Sequence, residues 1–68
     1  MSDEYLEEID RMLQEAGTAL DECAQIISEK NFNSQKNIGR IAESLMLLFE
    51  IRMEIFETRP DLKPSYLD

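Results

Sequence analysis

Adjacent carboxylates recur in the first half of the chain, as Glu7 and Glu8 and again as Asp21 and Glu22. Such pairs are the usual tools of general acid–base chemistry and of divalent-cation binding. Neighbours on a helix point roughly 100° apart, however, so neither pair converges on one point. The chain has no histidine, which removes the ordinary general base of neutral pH and the commonest metal ligand. Cys23 is the only cysteine. Nothing basic lies near it in sequence to lower its pKa, and a thiol at an apolar helical position behaves as a small hydrophobe. One Cys without His builds no conventional zinc site, and the Glu-x-x-His pairs of di-iron bundles are missing. Gly17 and Gly39 are isolated and make no phosphate-binding loop. The expectation is a protein that is not an enzyme, with no catalytic residue, no cofactor and no metal.

The pattern of apolar residues says more. Leu6, Ile9, Leu13, Ala16, Leu20, Cys23 and Ile27 form an unbroken heptad with alternating +3 and +4 steps, which predicts one apolar stripe along a helix over about residues 2–30. This stripe is expected to be the inner seam of a hairpin. A second row, Tyr5, Met12, Ala19 and Ile26, runs beside it and widens the buried surface toward that of a helix in a bundle of four. Ser2 or Asp3 is the expected N-cap, and Asp3, Glu4, Glu7 and Glu8 suit the positive end of the helix dipole. Glu7 and Arg11 stand at i,i+4 spacing for an ion pair. The middle of the helix is built from small residues, Ala16, Gly17, Ala19, Cys23 and Ala24, which permit close approach of another helix.

Residues 31–34, Asn-Phe-Asn-Ser, form a break in which Asn33 or Ser34 is expected to cap the next helix. Phe32 is expected to fold over the open end. So short a connection makes the flanking helices antiparallel neighbours. The second helix is expected over about 34–59, with a solvent stripe of Lys36, Arg40, Glu43, Glu50, Glu54 and Glu57 interrupted by Leu47. Most of its remaining circumference is apolar, which one partner helix cannot cover. An isolated hairpin would leave exposed either Met46, Phe49, Met53 and Phe56 or Leu48, Ile51 and Ile55. Arg52 falls in register with Ile41, Leu45, Leu48 and Ile55. It either snorkels along the bundle edge or pairs, in the interior, with an acid such as Asp10 or Glu54. Pro60 ends the helix. The tail, 60–68, has two prolines and the apolar Leu62, Tyr66 and Leu67; it either packs back on the helices or offers a linear recognition segment.

These readings give an all-α chain, an antiparallel two-helix hairpin that dimerises into a four-helix bundle. A domain of about 60 residues buries only ~60% of the surface its unfolded chain exposes, and one cysteine rules out an internal disulfide, so oligomerisation is the expected source of further core. The expected interface is Leu45, Met46, Leu48, Phe49, Arg52, Met53, Ile55 and Phe56, with secondary contacts at Leu47, Leu62, Tyr66 and Leu67. The partner is a second copy of the chain or another helical protein. The leading function is a protein–protein interaction module: a small adaptor, an assembly or export chaperone, or an inhibitor.

Charge narrows the partners. The net charge is −8, and residues 1–30 hold nine acids against Arg11 and Lys30. That balance argues against a nucleic-acid backbone as partner and provides either simple solubility or an acidic face for a basic partner. In size and layout the chain resembles small plasmid-encoded RNA-binding helical hairpins. The resemblance implies an alternative function, a dimeric regulator of nucleic-acid processes, either by binding RNA through Lys36, Arg40, Arg59 and Lys63 or by mimicking nucleic acid with its acids. The longest apolar run, Leu45 to Phe49, is far short of the ~20 residues a membrane span needs. With no charged-then-apolar leader and a lone cysteine, the expected location is cytoplasmic.

Overall fold

The computed structural model describes residues 3–64. Helix α1 spans Glu4–Lys30, α2 spans Ser34–Thr58, and a short 3-10 helix covers Pro60–Leu62; no strand occurs among the described residues. The two long helices pack against each other as an antiparallel hairpin measuring 47 × 20 × 17 Å. Its register is uniform. Gly17 faces Leu45, Asp10 meets Arg52, and Arg59 reaches the backbone of Asp3, so each step along α1 matches an equal step back along α2.

Local chemistry explains where the helices begin and end. Asp3 is the N-cap of α1, but through its carbonyl, which accepts from the Leu6 N–H at 2.9 Å; its side chain makes no capping bond. Ser2 lies outside the described residues. Glu4 and Glu7 occupy the first turn, where negative charge is favoured. Arg11 pairs with Glu15 at 2.9 Å rather than with Glu7. Both partners are available at four-residue spacing, and the guanidinium reaches forward along the helix.

At the other end of α1, Asn31 adopts a left-handed conformation with φ of 51°. The Phe32 N–H donates to Ile27 O at 3.0 Å and the Asn31 N–H to Ser28 O at 3.3 Å, the paired bonds of a Schellman stop. Asn33 is also left-handed, at φ 43°. It starts α2 through its carbonyl, which accepts from the N–H groups of Lys36 and Asn37, with no side-chain cap. Ser34 Oγ instead donates to Asn31 Oδ1 at 2.7 Å, and Asn37 Nδ2 to Phe32 O at 2.9 Å. Both backbone groups of Phe32 are thus engaged. Its ring does not fold over the hairpin end but stands exposed.

The seam between the helices differs from the heptad read off the sequence. The inward positions of α1 are Leu6, Asp10, Leu13, Gly17, Leu20, Ala24 and Ile27, whereas Ile9, Ala16 and Cys23 are exposed. The α1 surface is rotated so that a polar residue and a glycine take inward places. From α2 the inward residues are Ile41, Leu45, Leu48, Arg52, Ile55 and Phe56. Among the described residues only Asp10, Ile55 and Phe56 are buried. The tightest packing therefore lies at the end away from the turn, where burying an Ile or Phe side chain contributes about 1.5–3 kcal/mol.

Candidate interaction surfaces

Two faces flank the seam. On one, α2 presents Ile38, Ala42, Met46, Phe49 and Met53, all exposed; Met46 is 59% exposed and Phe49 and Met53 are 40% exposed. This row borders an open groove of about 610 Å³, whose α1 wall includes Gln14, Gly17, Thr18 and Asp21. Gly17 keeps the groove deep beside Leu45. A Cβ added there would sit 3.7 Å from Leu45 Cδ2, an ordinary contact, so the small residue widens the groove without being forced by a clash.

At one end of the groove stands Arg52. Its Nε donates to Asp10 Oδ1 at 2.7 Å, and its guanidinium carbon lies 5.3 Å from the centre of the Phe56 ring. Asp10 Oδ2 accepts a second bond from Gln14 Nε2 at 2.8 Å. The carboxylate is buried, and both of its oxygens are engaged. Among the described residues no buried side-chain nitrogen or oxygen lacks a partner, so the polar cluster meets the condition for charges inside a protein. Of the two acids that sequence offered to Arg52, geometry selects Asp10.

The structure divides the expected interface residues into two sets. Met46, Phe49 and Met53 point outward. Leu45, Leu48, Arg52, Ile55 and Phe56 lie on the side facing α1, with Ile55 and Phe56 buried. Leu47 is exposed and points about 100° from Met46 around α2, one turn before Ile51, which is also exposed. In the tail, Arg59 grips Asp61 with two bonds, Nε to Oδ1 at 2.9 Å and Nη2 to Oδ2 at 2.7 Å, and its Nη1 approaches Asp3 O at 3.4 Å. The Arg59 hydrogen bond holds the Asp61 carboxyl below its ordinary value, partly opposed by desolvation. Leu62 is half-buried beside the first turns of α1, in a recess shared with Glu4, Glu7 and Glu8. The start of the tail thus packs back on the hairpin. Tyr66 and Leu67 lie outside the described residues.

The second face is made of residues that the sequence placed in the interior, the row Tyr5, Met12, Ala19 and Ile26 together with Ile9, Ala16 and Cys23 of the heptad. It carries the α1 residues Tyr5, Ile9, Met12, Ala16, Ala19, Cys23 and Ile26, all exposed. They are not buried, because α1 turns Leu6, Asp10, Leu13, Gly17, Leu20, Ala24 and Ile27 inward instead and leaves this row, with its alternating +4 and +3 spacing, on the outside. Cys23, expected as a core thiol, belongs to this outer row and is free and exposed.

Lys36 and Arg40 lie near the turn, whereas Arg59 and Lys63 lie at the far end of the hairpin. A single chain therefore gathers no basic patch from these four. Among the described residues no cluster of three His, Cys, Asp or Glu side chains is placed to hold a metal ion, and no helix is long and apolar enough to cross a membrane. No family model matches the chain, and no curated protein or solved structure matches it.

Proposed function

We propose that this chain is a non-enzymatic helical interaction module of the adaptor, assembly-chaperone or inhibitor type, and that it self-associates through the α2 flank of Ile38, Ala42, Met46, Phe49 and Met53 into a four-helix bundle. The observation that carries this reading is the exposure of that flank as a continuous apolar row beside the groove. Contiguous exposed apolar patches mark interaction sites. The hairpin's own core, with two apolar residues buried among the described residues, is meagre for a domain of this size, and association is the usual remedy.

Twofold symmetry is the commonest arrangement for such a dimer. The α2 flank of one copy packs into the groove of the other, with Phe49 and Met46 as central anchors and Gly17 admitting a close approach. The lone cysteine fits a reducing, cytoplasmic setting. Sedimentation equilibrium tests the reading. A dimer that Phe49→Asp converts to a folded monomer supports it; a stable monomer of the wild-type chain at micromolar concentration removes it. Capture of a different helical protein by the same flank, with the wild-type chain monomeric alone, replaces the second copy by that partner.

A further inference from the structure

The outer face of α1 is a second apolar feature left without a partner inside the hairpin, and its chemistry specifies one. Tyr5, Met12 and Ile26 are 61%, 56% and 59% exposed, and Ile9, Ala16, Ala19 and Cys23 are exposed between them. Their steps alternate between four and three residues, which is the spacing of the paired seam positions of a coiled coil. Immediately before each residue of the Ile9, Ala16, Cys23 set comes a glutamate: Glu8, Glu15 and Glu22, with Glu29 continuing the same seven-residue repeat. All four are exposed. At roughly 100° per residue they form a rail along the edge of the apolar row that faces away from α2. Arg11 stands in the same row between Glu8 and Glu15 and pairs with Glu15 at 2.9 Å; beyond Glu15 the row continues as Thr18, Glu22, Gln25 and Glu29, without a cation.

Residues flanking the seam in this way choose the partner and its orientation by charge. A second copy of α1 is a poor choice. Paired antiparallel, the two faces set glutamate rail against glutamate rail. Paired parallel, each rail meets the row that follows the other seam set, Leu6, Leu13, Leu20 and Ile27, and that row is already turned toward α2. Like charges across helices are repulsive, whereas Lys or Arg on the incoming helix satisfies the rail and leaves the apolar rows to interdigitate. Ala16 and Ala19 in the middle let the incoming backbone come close, and Tyr5, Met12 and Ile26 supply the larger contact area.

We propose that the outer face of α1 docks a basic amphipathic helix, apolar on one stripe and carrying Lys or Arg beside it. The site lies on the face of the hairpin opposite the α2 flank, so it stands or falls independently of self-association. Cys23 gives a built-in reporter, because a helix seated on the row covers its thiol.

The test uses the full chain and two synthetic helical peptides with the same Leu/Ile heptad stripe, one flanked by Lys and one by Glu. Binding is read by fluorescence anisotropy and by the rate at which iodoacetamide alkylates Cys23. The expected result is binding of the Lys-flanked peptide at least about tenfold tighter than the Glu-flanked one, weakened by salt, together with slowed alkylation of Cys23. Reversing the rail with Glu8→Lys, Glu15→Lys, Glu22→Lys and Glu29→Lys, all at exposed positions, inverts the preference. Phe49→Asp leaves it unchanged. Equal binding of both peptides, or Lys-peptide binding that leaves Cys23 alkylation unaffected, overturns the proposal. So does a wild-type oligomer that Met12→Asp dissociates, because the occupant is then a second copy.

Discussion

Arg52 and Asp10, 42 residues apart in the chain, meet at 2.7 Å inside the hairpin, Nε to Oδ1. The contact ties the second half of α2 to the second turn of α1 and closes the end of the molecule where Ile55 and Phe56 are buried. Gln14 occupies the other carboxylate oxygen at 2.8 Å. Losing one partner of an interior ion pair costs far more than replacing both by apolar groups.

Removing one partner is therefore expected to be severe. Asp10→Ala leaves the guanidinium half-buried without its acid, and a loss of roughly 3 kcal/mol in folding free energy is expected. The double substitution Asp10→Leu with Arg52→Met replaces the pair by apolar volume and is expected to restore stability to within about 1 kcal/mol of the parent, or to exceed it. Urea denaturation of the parent, Asp10→Ala, the single variants Asp10→Leu and Arg52→Met, and the double variant measures this. Equal losses in single and double variants would show that the pair contributes through packing alone.

The two glycines give a milder contrast. Both lie inside helices, where Gly costs about 1 kcal/mol relative to Ala. A Cβ at Gly39 meets nothing within 4 Å, so Gly39→Ala is expected to raise stability by up to that amount. Gly17→Ala has room beside Leu45 in the single chain, at 3.7 Å, and is expected to stabilise the hairpin while filling the groove. Thermal melts monitored by circular dichroism read the first effect. For Gly17→Ala, the same melt combined with a dimer dissociation constant separates the gain in helix from the loss of groove depth.

Asn31 sits at φ 51°, a left-handed conformation that a side chain without asparagine's local hydrogen bonding enters at a cost of roughly 1–2 kcal/mol. Asn31→Gly is expected to be neutral or stabilising, and Asn31→Ala to destabilise by about 1 kcal/mol. Because Asn31 Oδ1 also accepts from Ser34 Oγ at 2.7 Å, comparison with Ser34→Ala apportions the loss between backbone strain and the side-chain bond.

At the opposite end, pH probes the tail. Asp61 is held below its ordinary value of 3.8, first by the hydrogen bond from Arg59 and then by the charge of Arg59. A carboxylate with a lowered folded-state pKa contributes stability that is complete above its unfolded value and is lost as pH falls through the folded one. The Pro60–Leu62 turn is therefore expected to loosen only in acid below the ordinary carboxylate range. Carboxyl-detected NMR titration should show Asp61 titrating below 3.8 in the parent chain and at a higher pH in Arg59→Gln.

The hairpin itself was legible in the sequence. A helix-length heptad, an Asn-Phe-Asn-Ser break and a proline at position 60 mark two helices and a stop, because caps, turns and prolines act locally. The rotation of α1 was not legible. Counting apolar residues selects Ile9, Ala16 and Cys23 for the seam, whereas Asp10, Gly17 and Ala24 take those inward places. Asp10 is tolerated inside because Arg52, from the other helix, and Gln14 answer it, and the first of these is a tertiary condition; Gly17 lies across from Leu45 with room for a Cβ. On α2 the apolar residues cover most of the circumference. Periodicity could not decide that Leu45, Leu48, Ile55 and Phe56 turn inward while Met46, Phe49 and Met53 turn out. The Arg59–Asp61 clamp and the outward Phe32 ring follow from backbone geometry at the helix ends, which composition does not specify.

Sedimentation equilibrium of the chain and of Phe49→Asp, across the micromolar range, tests the central claim most directly. The account predicts a species of twice the 7.9 kDa chain mass for the parent, and a helical monomer for Phe49→Asp. A parent chain that sediments at 7.9 kDa throughout, with its helicity intact, contradicts it.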